Sequence, residues 1–226
     1  MSLTLFDLDN TLLAGDSDHL WGEYLTEHDI VDAQTYAAAN ERFYADYKAG
    51  RLDIDAFLRF ALRPLAEHPP DQLHAWRERF IAEKIEPIVL PAARALIDMH
   101  RQRGDTLVII TATNRFVTEP IAGLLGIDCL LATEPEFRDG RYTGGYVGTP
   151  TFRDGKIAAL EAWRRQSGTE DMVTTFYSDS RNDLPLLERV EEPVAVDPDP
   201  ALDAIARERH WQRLTLRDGP EPHPLG

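Results

Sequence analysis

Two carboxylates that follow an apolar strand near the start of the chain restrict what it can fold into. Residues 3–9 read Leu-Thr-Leu-Phe-Asp-Leu-Asp and predict a short buried strand that ends in Asp7 and Asp9. Side chains alternate between the faces of a strand, so Asp7 and Asp9 are expected on the same face. Open α/β sheets bind ligands at this carboxyl edge. Two like charges so close are costly unless a cation or a proton joins them, which indicates a divalent metal site.

A second polar pair follows the apolar run 106–110. Thr111 ends this run and Ala112 comes next, so a hydroxyl and a backbone N–H could both donate to a phosphate oxygen. Alternatively, Thr111 caps the helix expected after it. Lys156 stands at the start of a helix predicted over about 155–167. Its ammonium could neutralise a nucleophile and a phosphoryl group, although most lysines are solvated surface charges.

A third polar segment, Asp-Ser-Arg-Asn-Asp at 179–183, follows the predicted strand 173–178. Its two carboxylates, Asp179 and Asp183, are expected at the same sheet edge as Asp7. Mg²⁺ prefers oxygen ligands and keeps several waters, so two or three protein oxygens suffice to hold it. The alternative is a polar turn that caps a helix, since Asp and Ser are good N-caps.

Taken together and in this order, these segments resemble the motifs of the haloacid dehalogenase (HAD) superfamily. Residues 7–11, Asp-Leu-Asp-Asn-Thr, are similar to its first motif, DxDxT, and residues 179–183 are similar to its acidic fourth motif. Thr111 and Lys156 fit the second and third motifs. The resemblance covers roughly residues 3–200 and implies an α/β fold with a doubly wound, parallel, Rossmann-like sheet.

The resemblance also implies a role for each of these residues. Asp7 would attack phosphorus and form an aspartyl-phosphate, Asp9 would be the general acid and base, and Lys156 would complete the catalytic set. The implied phosphate ligands are Thr111, Ala112 and Ser180. The implied cofactor is Mg²⁺, with the ligands Asp7, Asp9 through its carbonyl, Asp179 and Asp183. Haloacid dehalogenases and phosphonatases lack a carboxylate at the position of Asp9, so the resemblance favours phosphomonoester chemistry.

Two kinds of periodicity divide the chain. Residues 16–90 show apolar side chains at helical spacing and no convincing strand, whereas strands alternate with helices over residues 91–200. Residues 1–15 and 91–217 are therefore predicted to form the α/β core. Residues 16–90 are predicted to form a helical cap that resembles the C1-type caps of the superfamily. Residues 218–226 are expected to be a disordered tail.

The charge balance restricts the partners. The chain has 39 acidic and 24 basic residues and a formal net charge of −15, which disfavours nucleic acid and anionic membranes. No apolar run approaches the roughly 20 residues needed to span a bilayer, and no basic segment precedes the first strand. The expectation is a cytoplasmic enzyme that acts on a small-molecule phosphate ester. The sequence predicts no oligomeric state.

Within the superfamily, the chain resembles subclass IB, the phosphoserine-phosphatase-like group, and this resemblance bears on the substrate. That group binds the substrate amino group with a Glu shortly after the first motif, where this chain has Asp16. Its carboxylate-binding Arg falls near Ala61, a mismatch that disfavours phosphoserine. Residues 15–21, Gly-Asp-Ser-Asp-His-Leu-Trp, instead resemble a bacterial branch of the subclass that includes histidinol-phosphatases.

This resemblance implies a phosphorylated amino alcohol or amino acid as substrate, with histidinol phosphate as the best match. The expected substrate contacts are the carboxylates Asp16, Asp18 and Glu23 and the aromatic walls Trp21 and Phe43. Alternatively, Asp16 caps the first cap helix and Trp21 belongs to the core. Three other functions stay open: a phosphoserine phosphatase, a phosphotransferase or phosphomutase, and a non-catalytic binding protein of the HAD fold. The last has no need of Asp9.

Overall fold

A single eight-stranded sheet organises the computed structural model, which describes residues 2–226. Met1, the first residue of the predicted core segment 1–15, lies outside the described residues. The strands are β1 (Leu3–Phe6), β2 (Thr106–Asn114), β3 (Cys129–Arg138), β4 (Arg141–Val147), β5 (Thr174–Ser178), β6 (Glu192–Val196), β7 (Gln212–Thr215) and β8 (His223–Pro224). Their order is β4-β3-β2-β1-β5-β6-β7-β8. The six central strands are parallel, and β4 and β8 pair antiparallel at the two edges.

The helices cover both faces of this sheet. They are α1 (Ser17–Glu27), α2 (Ala33–Lys48), α3 (Ile54–Ala61), α4 (Arg63–Glu67), α5 (Pro70–Phe80), α6 (Pro91–Arg103), α7 (Arg115–Leu125), α8 (Asp154–Ser167), α9 (Leu184–Leu187) and α10 (Pro200–Glu208). A π-helical turn, Ile81–Ile85, and a 3-10 turn, Glu86–Ile88, follow α5, and a second 3-10 turn, Arg181–Asp183, precedes α9. The predicted α/β fold with a doubly wound parallel sheet is confirmed. Within the described residues, no helix is both long and apolar enough to cross a membrane.

Side-chain alternation in β1 shows how the sheet is covered. Leu3 and Leu5 pack into a cluster with residues of α8, α9 and α10, whereas Phe6 faces a second cluster formed with α6 and α7. All three side chains are fully buried. A strand buried on both faces reads as a nearly continuous apolar run, as parallel sheets require. The short strand β1 is therefore held in the middle of the sheet.

The five helices α1–α5, called the cap segment below, lie between β1 and β2 in the chain. The two connections between this segment and the sheet pair with each other in an isolated antiparallel bridge between Leu13 and Val89. Two backbone hydrogen bonds support the bridge, from Ala14 to Ile88 at 2.8 Å and from Leu90 to Leu12 at 3.3 Å. The paired connections fix where the cap segment enters and leaves the core.

Strand register brings the polar segments of the sequence to one edge. Phe6 is the register partner of Ile109 in β2 and of Tyr177 in β5. The residues after these three therefore emerge side by side at the carboxyl edge. The backbone N–H of Asp7 still donates to the carbonyl of Tyr177 at 2.9 Å. Asp7 is thus held by the sheet although β1 ends at Phe6.

The end of the chain differs from the sequence expectation. Residues 218–226 were expected to be disordered, but His223–Pro224 forms β8, and the N–H of Leu225 donates to the carbonyl of Arg213 at 2.9 Å. The physical reason is the open edge of β7, whose backbone groups need partners. Two further elements, α10 and β7, lie between 197 and 217 and were not predicted.

Asp139 and Gly140 form the turn of a hairpin between β3 and β4. Both residues have positive φ, 51° and 78°. This is the conformation that a two-residue turn of type I′ needs and that Asp-Gly favours.

Gly155, in the first turn of α8, provides a test of how the fold positions Lys156. A Cβ atom at Gly155 would lie 1.9 Å from the carbonyl oxygen of Pro150, so the backbone must shift. We expect Gly155→Ala to lower the free energy of unfolding by about 1–3 kcal/mol, as overpacked sites do, and to displace Lys156. Thermal unfolding and activity assays measure the two effects.

Gly123→Ala is the matched control for this substitution. Gly123 is an exposed helical residue whose added Cβ would meet nothing within 4 Å. Alanine there should raise the free energy of unfolding by about 0.5–1 kcal/mol because glycine is a poor helix former. An unchanged stability of Gly155→Ala would contradict the close packing of α8 against Pro150.

Candidate active site

A cavity lies where the carboxyl edge of the sheet meets the cap segment. The sheet side contributes Asp7, Asp9, Thr111, Ala112, Thr113, Phe152, Lys156, Asn182 and Asp183. The cap side contributes Asp16, Asp18, His19, Asn40, Phe43, Tyr44, Tyr47, Leu52, Ile54 and Phe57. The cavity is therefore acidic and polar at the sheet and largely aromatic at the cap.

Lys156 joins two carboxylates at the bottom of this cavity. Its Nζ donates to Oδ1 of Asp7 at 2.8 Å and to Oδ2 of Asp183 at 2.7 Å. Asp183 is held in place by the hydroxyl of Ser178, which donates to the same Oδ2 at 2.7 Å. The three charged side chains are almost completely buried. Taking these charges out of water is expensive, and the short ion pairs offset that cost only in part.

Asp9 is fixed by three donors. The backbone N–H of Ser17 donates to its Oδ1 at 2.6 Å, and the hydroxyl of Thr113 donates to its Oδ2 at 2.8 Å. The Thr111 hydroxyl lies farther from Oδ2, at 3.4 Å. Asp9 therefore connects the start of the cap segment to the end of β2. Its hydrogen-bond donors differ from those of the neighbouring Asp7.

Burial shifts the protonation equilibria of both motif-one carboxylates. It raises the pKa of Asp7 to about 7, with Lys156 acting in the opposite direction. It raises the pKa of Asp9 to about 6, and the charge of Asp16 adds to this effect. Burial alone would lower the pKa of Lys156, but Asp183 and Asp7 outweigh it and raise that pKa. A carboxyl group with a pKa near the operating pH is suited to give and take protons.

Asp179 lies beside Asp7 at the carboxyl edge of the sheet. The hydroxyl of Thr11 lies 3.1 Å from Oδ1 of Asp179 and 3.4 Å from Oδ2 of Asp7, so these two carboxylates are close neighbours. Burial and the charges of Asp7 and Asp183 raise the pKa of Asp179 well above its usual range. This oxygen-only set carries more negative charge than Lys156 compensates, and Mg²⁺ prefers such a set.

The residues predicted to bind phosphate have different surroundings. Thr111 and Ala112 line the cavity at the end of β2. Ser180 does not line it: its hydroxyl accepts from the N–H of Asn182 at 3.2 Å and caps the 3-10 turn. A hydroxyl that accepts one hydrogen bond can still donate its own proton, so the phosphate-binding role of Ser180 stays a prediction. Asn182 lines the cavity.

The residues predicted to contact substrate also divide into two groups. Asp16, Asp18 and Phe43 line the cavity. Trp21 was predicted as an aromatic wall, but it is 2% exposed and packs on Tyr24, Phe80 and Phe116. This prediction is wrong, because α1 turns Trp21 towards the apolar core.

Glu23 was predicted as a substrate contact as well, but it does not line the cavity. It is partly exposed, and its Oε1 lies 3.6 Å from Nε2 of His19. Glu23 is one helical turn after His19 and reaches the cavity only through that imidazole. The prediction of a direct contact is corrected accordingly.

Several cavity residues were missed by the sequence analysis. Thr113 shares a face of β2 with Thr111, so the period of two in a strand could have found it. Asn182 stands inside the acidic fourth motif. His19, Tyr44 and Tyr47 depend on how α1 and α2 pack, and the imidazole of His19 stacks on Tyr44 at a centroid distance of 4.3 Å. No local sequence signal indicates that packing.

Comparison with known proteins agrees with this geometry. The profile of the haloacid dehalogenase-like hydrolases matches residues 4–188, which include all four motifs. The chain belongs to the haloacid dehalogenase-like hydrolase family. The predicted family and its Rossmann-like core are thereby confirmed.

Individual relatives are similar over nearly the whole chain. The histidinol-phosphatase of Neisseria meningitidis serogroup C is 46% identical over 220 residues, covering 96% of this chain and 99% of that protein. The phosphoserine phosphatase SerB1 of Mycobacterium tuberculosis is 33% identical over 218 residues, covering 94% and 70%. A crystal structure of a protein with unknown function from Bordetella pertussis Tohama I has a TM-score of 0.88 and 41% identity, covering 95% and 98%. These relatives indicate that this HAD-family enzyme is a phosphatase.

Removal of the buried cation tests the electrostatics of the site. Lys156→Met leaves Asp7 and Asp183 without their partner, and we expect it to lower the free energy of unfolding by about 3–5 kcal/mol. The pKa of Asp7 is already raised above its unfolded value. The protonated form is therefore favoured in the folded protein, and stability falls as the pH rises through the folded pKa. The loss should be larger at pH 8 than at pH 5 in chemical denaturation.

The double variant Lys156→Met/Asp183→Asn is the control for this prediction. It removes one of the two stranded carboxylates and should recover part of the lost stability. A loss that is independent of pH and unchanged in the double variant would contradict the assignment of these ion pairs.

Proposed function

We propose that this enzyme is a Mg²⁺-dependent phosphomonoesterase that works through an aspartyl-phosphate on Asp7 and acts on histidinol phosphate. The observation that carries the proposal is the convergence of Asp7, Asp9, Lys156 and Thr111 on one cavity whose cap side is acidic and aromatic. A nucleophile, an acid/base group and a cation are the parts that such a displacement needs.

In the first step, Asp7 attacks the phosphorus of the ester and displaces the alcohol. Lys156 orients Asp7 through Oδ1 at 2.8 Å, and Oδ2, whose one hydrogen bond within residues 2–226 is the long one from the Thr11 hydroxyl at 3.4 Å, is the oxygen that attacks. Burial raises the pKa of Asp9 towards neutrality, to about 6, so that its carboxyl can take up a proton and give it to the leaving alkoxide. The donors from Ser17 and Thr113 hold the Asp9 carboxyl in place for this transfer.

In the second step, Asp9 takes a proton from water, which attacks the aspartyl-phosphate and releases inorganic phosphate. The hydroxyl of Thr111 and the N–H of Ala112 are placed at the end of β2 to donate to phosphoryl oxygens. Mg²⁺ would be held by Asp7, Asp179 and the Asp9 carbonyl, with Asp183 beside them. When bound, it would supply positive charge against the carboxylates and the phosphoryl oxygens.

The cap side of the cavity supports a cationic alcohol. Among the cavity residues in the described chain, Lys156 is the only Lys or Arg, and Asp7 and Asp183 engage it. A phosphoserine carboxylate would therefore meet no free cation and two further carboxylates, Asp16 and Asp18. Histidinol phosphate shares the ammonium of phosphoserine but has an imidazolylmethyl group in place of that carboxylate. The 46% identity to a histidinol-phosphatase points the same way.

Phosphate release from histidinol phosphate and from L-phosphoserine, compared side by side with Mg²⁺, tests the proposal. We expect a clear preference for histidinol phosphate. Phosphate release should be lost when EDTA removes the metal. Asp7→Asn should lower the rate at least about a thousandfold, since the nucleophile is gone. Asp139→Asn, in the exposed hairpin turn, is the matched control and should leave the rate unchanged because Asn also suits that turn.

The alternative functions predict other results. A preference for L-phosphoserine would make the enzyme a phosphoserine phosphatase, as the 33% identity to SerB1 allows. Phosphate transfer to an organic acceptor in preference to water would identify a phosphotransferase or phosphomutase. Full activity in Asp7→Asn would contradict the nucleophile itself.

A further inference from the structure

The charges that line the cavity do not balance on the cap side. Five carboxylates face the cavity, and Lys156 is the only Lys or Arg that lines it among residues 2–226. Lys156 lies between Asp7 and Asp183, at 2.8 and 2.7 Å. Asp9 has three neutral donors. Asp16 and Asp18 are therefore left at the cap side without a Lys or Arg in the cavity lining beside them.

Asp16 has a structural role that satisfies much of its hydrogen-bonding capacity. It is the N-cap of α1, and its Oδ1 accepts from the N–H groups of Asp18 and His19 at 3.1 and 2.9 Å. Two backbone donors at a helix N-terminus stabilise a carboxylate charge. Asp16 is thus accounted for by the start of α1.

Asp18 has no comparable support. It is 8% exposed, faces the cavity and, in the part of the chain that the structure describes, receives one hydrogen bond, from Nδ2 of Asn114 at the long distance of 3.4 Å. Burial, followed by the charges of Asp16 and Asp9, raises its pKa well above the usual range. A buried carboxylate with so little compensation costs stability. Such a cost is typical of a group whose partner arrives with the ligand.

We propose that Asp18 binds the ammonium group of the substrate and sets the preference for a cationic alcohol, while Asp16 serves mainly to start α1. This inference rests on the proposed function, because it assigns one end of the same substrate. Asn114 extends from the end of β2 and orients the Asp18 carboxylate. The ammonium would then be held on the cap side, opposite the phosphoryl group beside Lys156.

The arrangement also rejects anionic substrates. A carboxylate placed beside Asp18 would add a like charge in a buried place and would find no arginine among the cavity residues of the described chain. Discrimination of this kind needs no additional contact, since repulsion of the wrong ligand is sufficient. The preference for cations therefore depends on the charge of Asp18 rather than on its size.

Binding of the reaction's alcohol tests the inference without turnover. L-histidinol and its analogue without the amino group, 3-(imidazol-4-yl)propan-1-ol, are titrated calorimetrically into wild type, Asp18→Asn and Asp16→Asn. We expect Asp18→Asn to weaken histidinol about 10- to 100-fold, as a lost charge-assisted hydrogen bond does, and the analogue less than about threefold. Asp16→Asn should weaken histidinol less than about fivefold, because Asn also caps helices.

Asp71→Asn, an exposed cap-segment variant, is the control for removing one negative charge and should bind both ligands like wild type. Thermal unfolding is the second measurement: Asp18→Asn should be at least as stable as wild type, since it removes an uncompensated buried charge. Equal weakening of both ligands in Asp18→Asn, or the full loss in Asp16→Asn alone, would overturn the inference. Failure of the proposed phosphatase would appear separately, as phosphate release that does not depend on Asp7.

Discussion

The ion pairs of Lys156 with Asp7 and Asp183 are the interaction on which the rest of the site depends. Three charges lie almost completely buried at the end of a sheet whose strands are apolar on both faces. They are tolerable there only because the ammonium lies within 2.8 Å of each carboxylate and because the backbone around them is held rigidly. The backbone of Asp7 is fixed by the hydrogen bond from its N–H to the carbonyl of Tyr177. The ion pairs of Lys156 thus lower the cost of burying these charges and also orient Asp7, the group proposed to attack phosphorus.

The site still carries more negative charge than one lysine balances, and the excess has two locations. Near the sheet, Asp7 and Asp179 share the hydroxyl of Thr11, where a divalent cation is proposed. Near the cap segment, Asp18 lacks a strong partner, and there a cationic substrate group is proposed. Each proposed cation removes a cost that the folded protein otherwise bears. Stability and binding are thus opposed at these carboxylates, as is common where a ligand completes a buried electrostatic network.

The sequence predicts the parts of the site that follow strand ends and is wrong or silent where helix packing decides. Asp7 and Thr111 could be placed because parallel strands in register deliver their carboxyl ends to one edge. The position of Trp21 could not be predicted, because the rotation of α1 about its own axis decides whether a helical residue faces the core or the cavity. For Ser180 the sequence pattern does not separate a hydroxyl that caps a turn from one that binds phosphate. The strand at His223–Pro224 depends on the free edge of β7, which the residues of β8 themselves do not indicate.

The measurement that tests the central claim most directly is the detection of the covalent intermediate. Asp9→Asn protein keeps the proposed nucleophile but lacks the general acid and base. It is incubated with Mg²⁺ and 4-nitrophenyl phosphate, whose leaving group needs no protonation, then quenched in acid, and its peptides are analysed by mass spectrometry. If Asp7 is the nucleophile, one phosphoryl group is expected on Asp7, in the peptide that contains residues 3–9. It should be absent from the Asp7→Asn/Asp9→Asn double variant. Phosphate on another residue, or turnover that leaves Asp7 unmodified at every time point, would contradict the claim that the buried, lysine-paired carboxylate is the nucleophile.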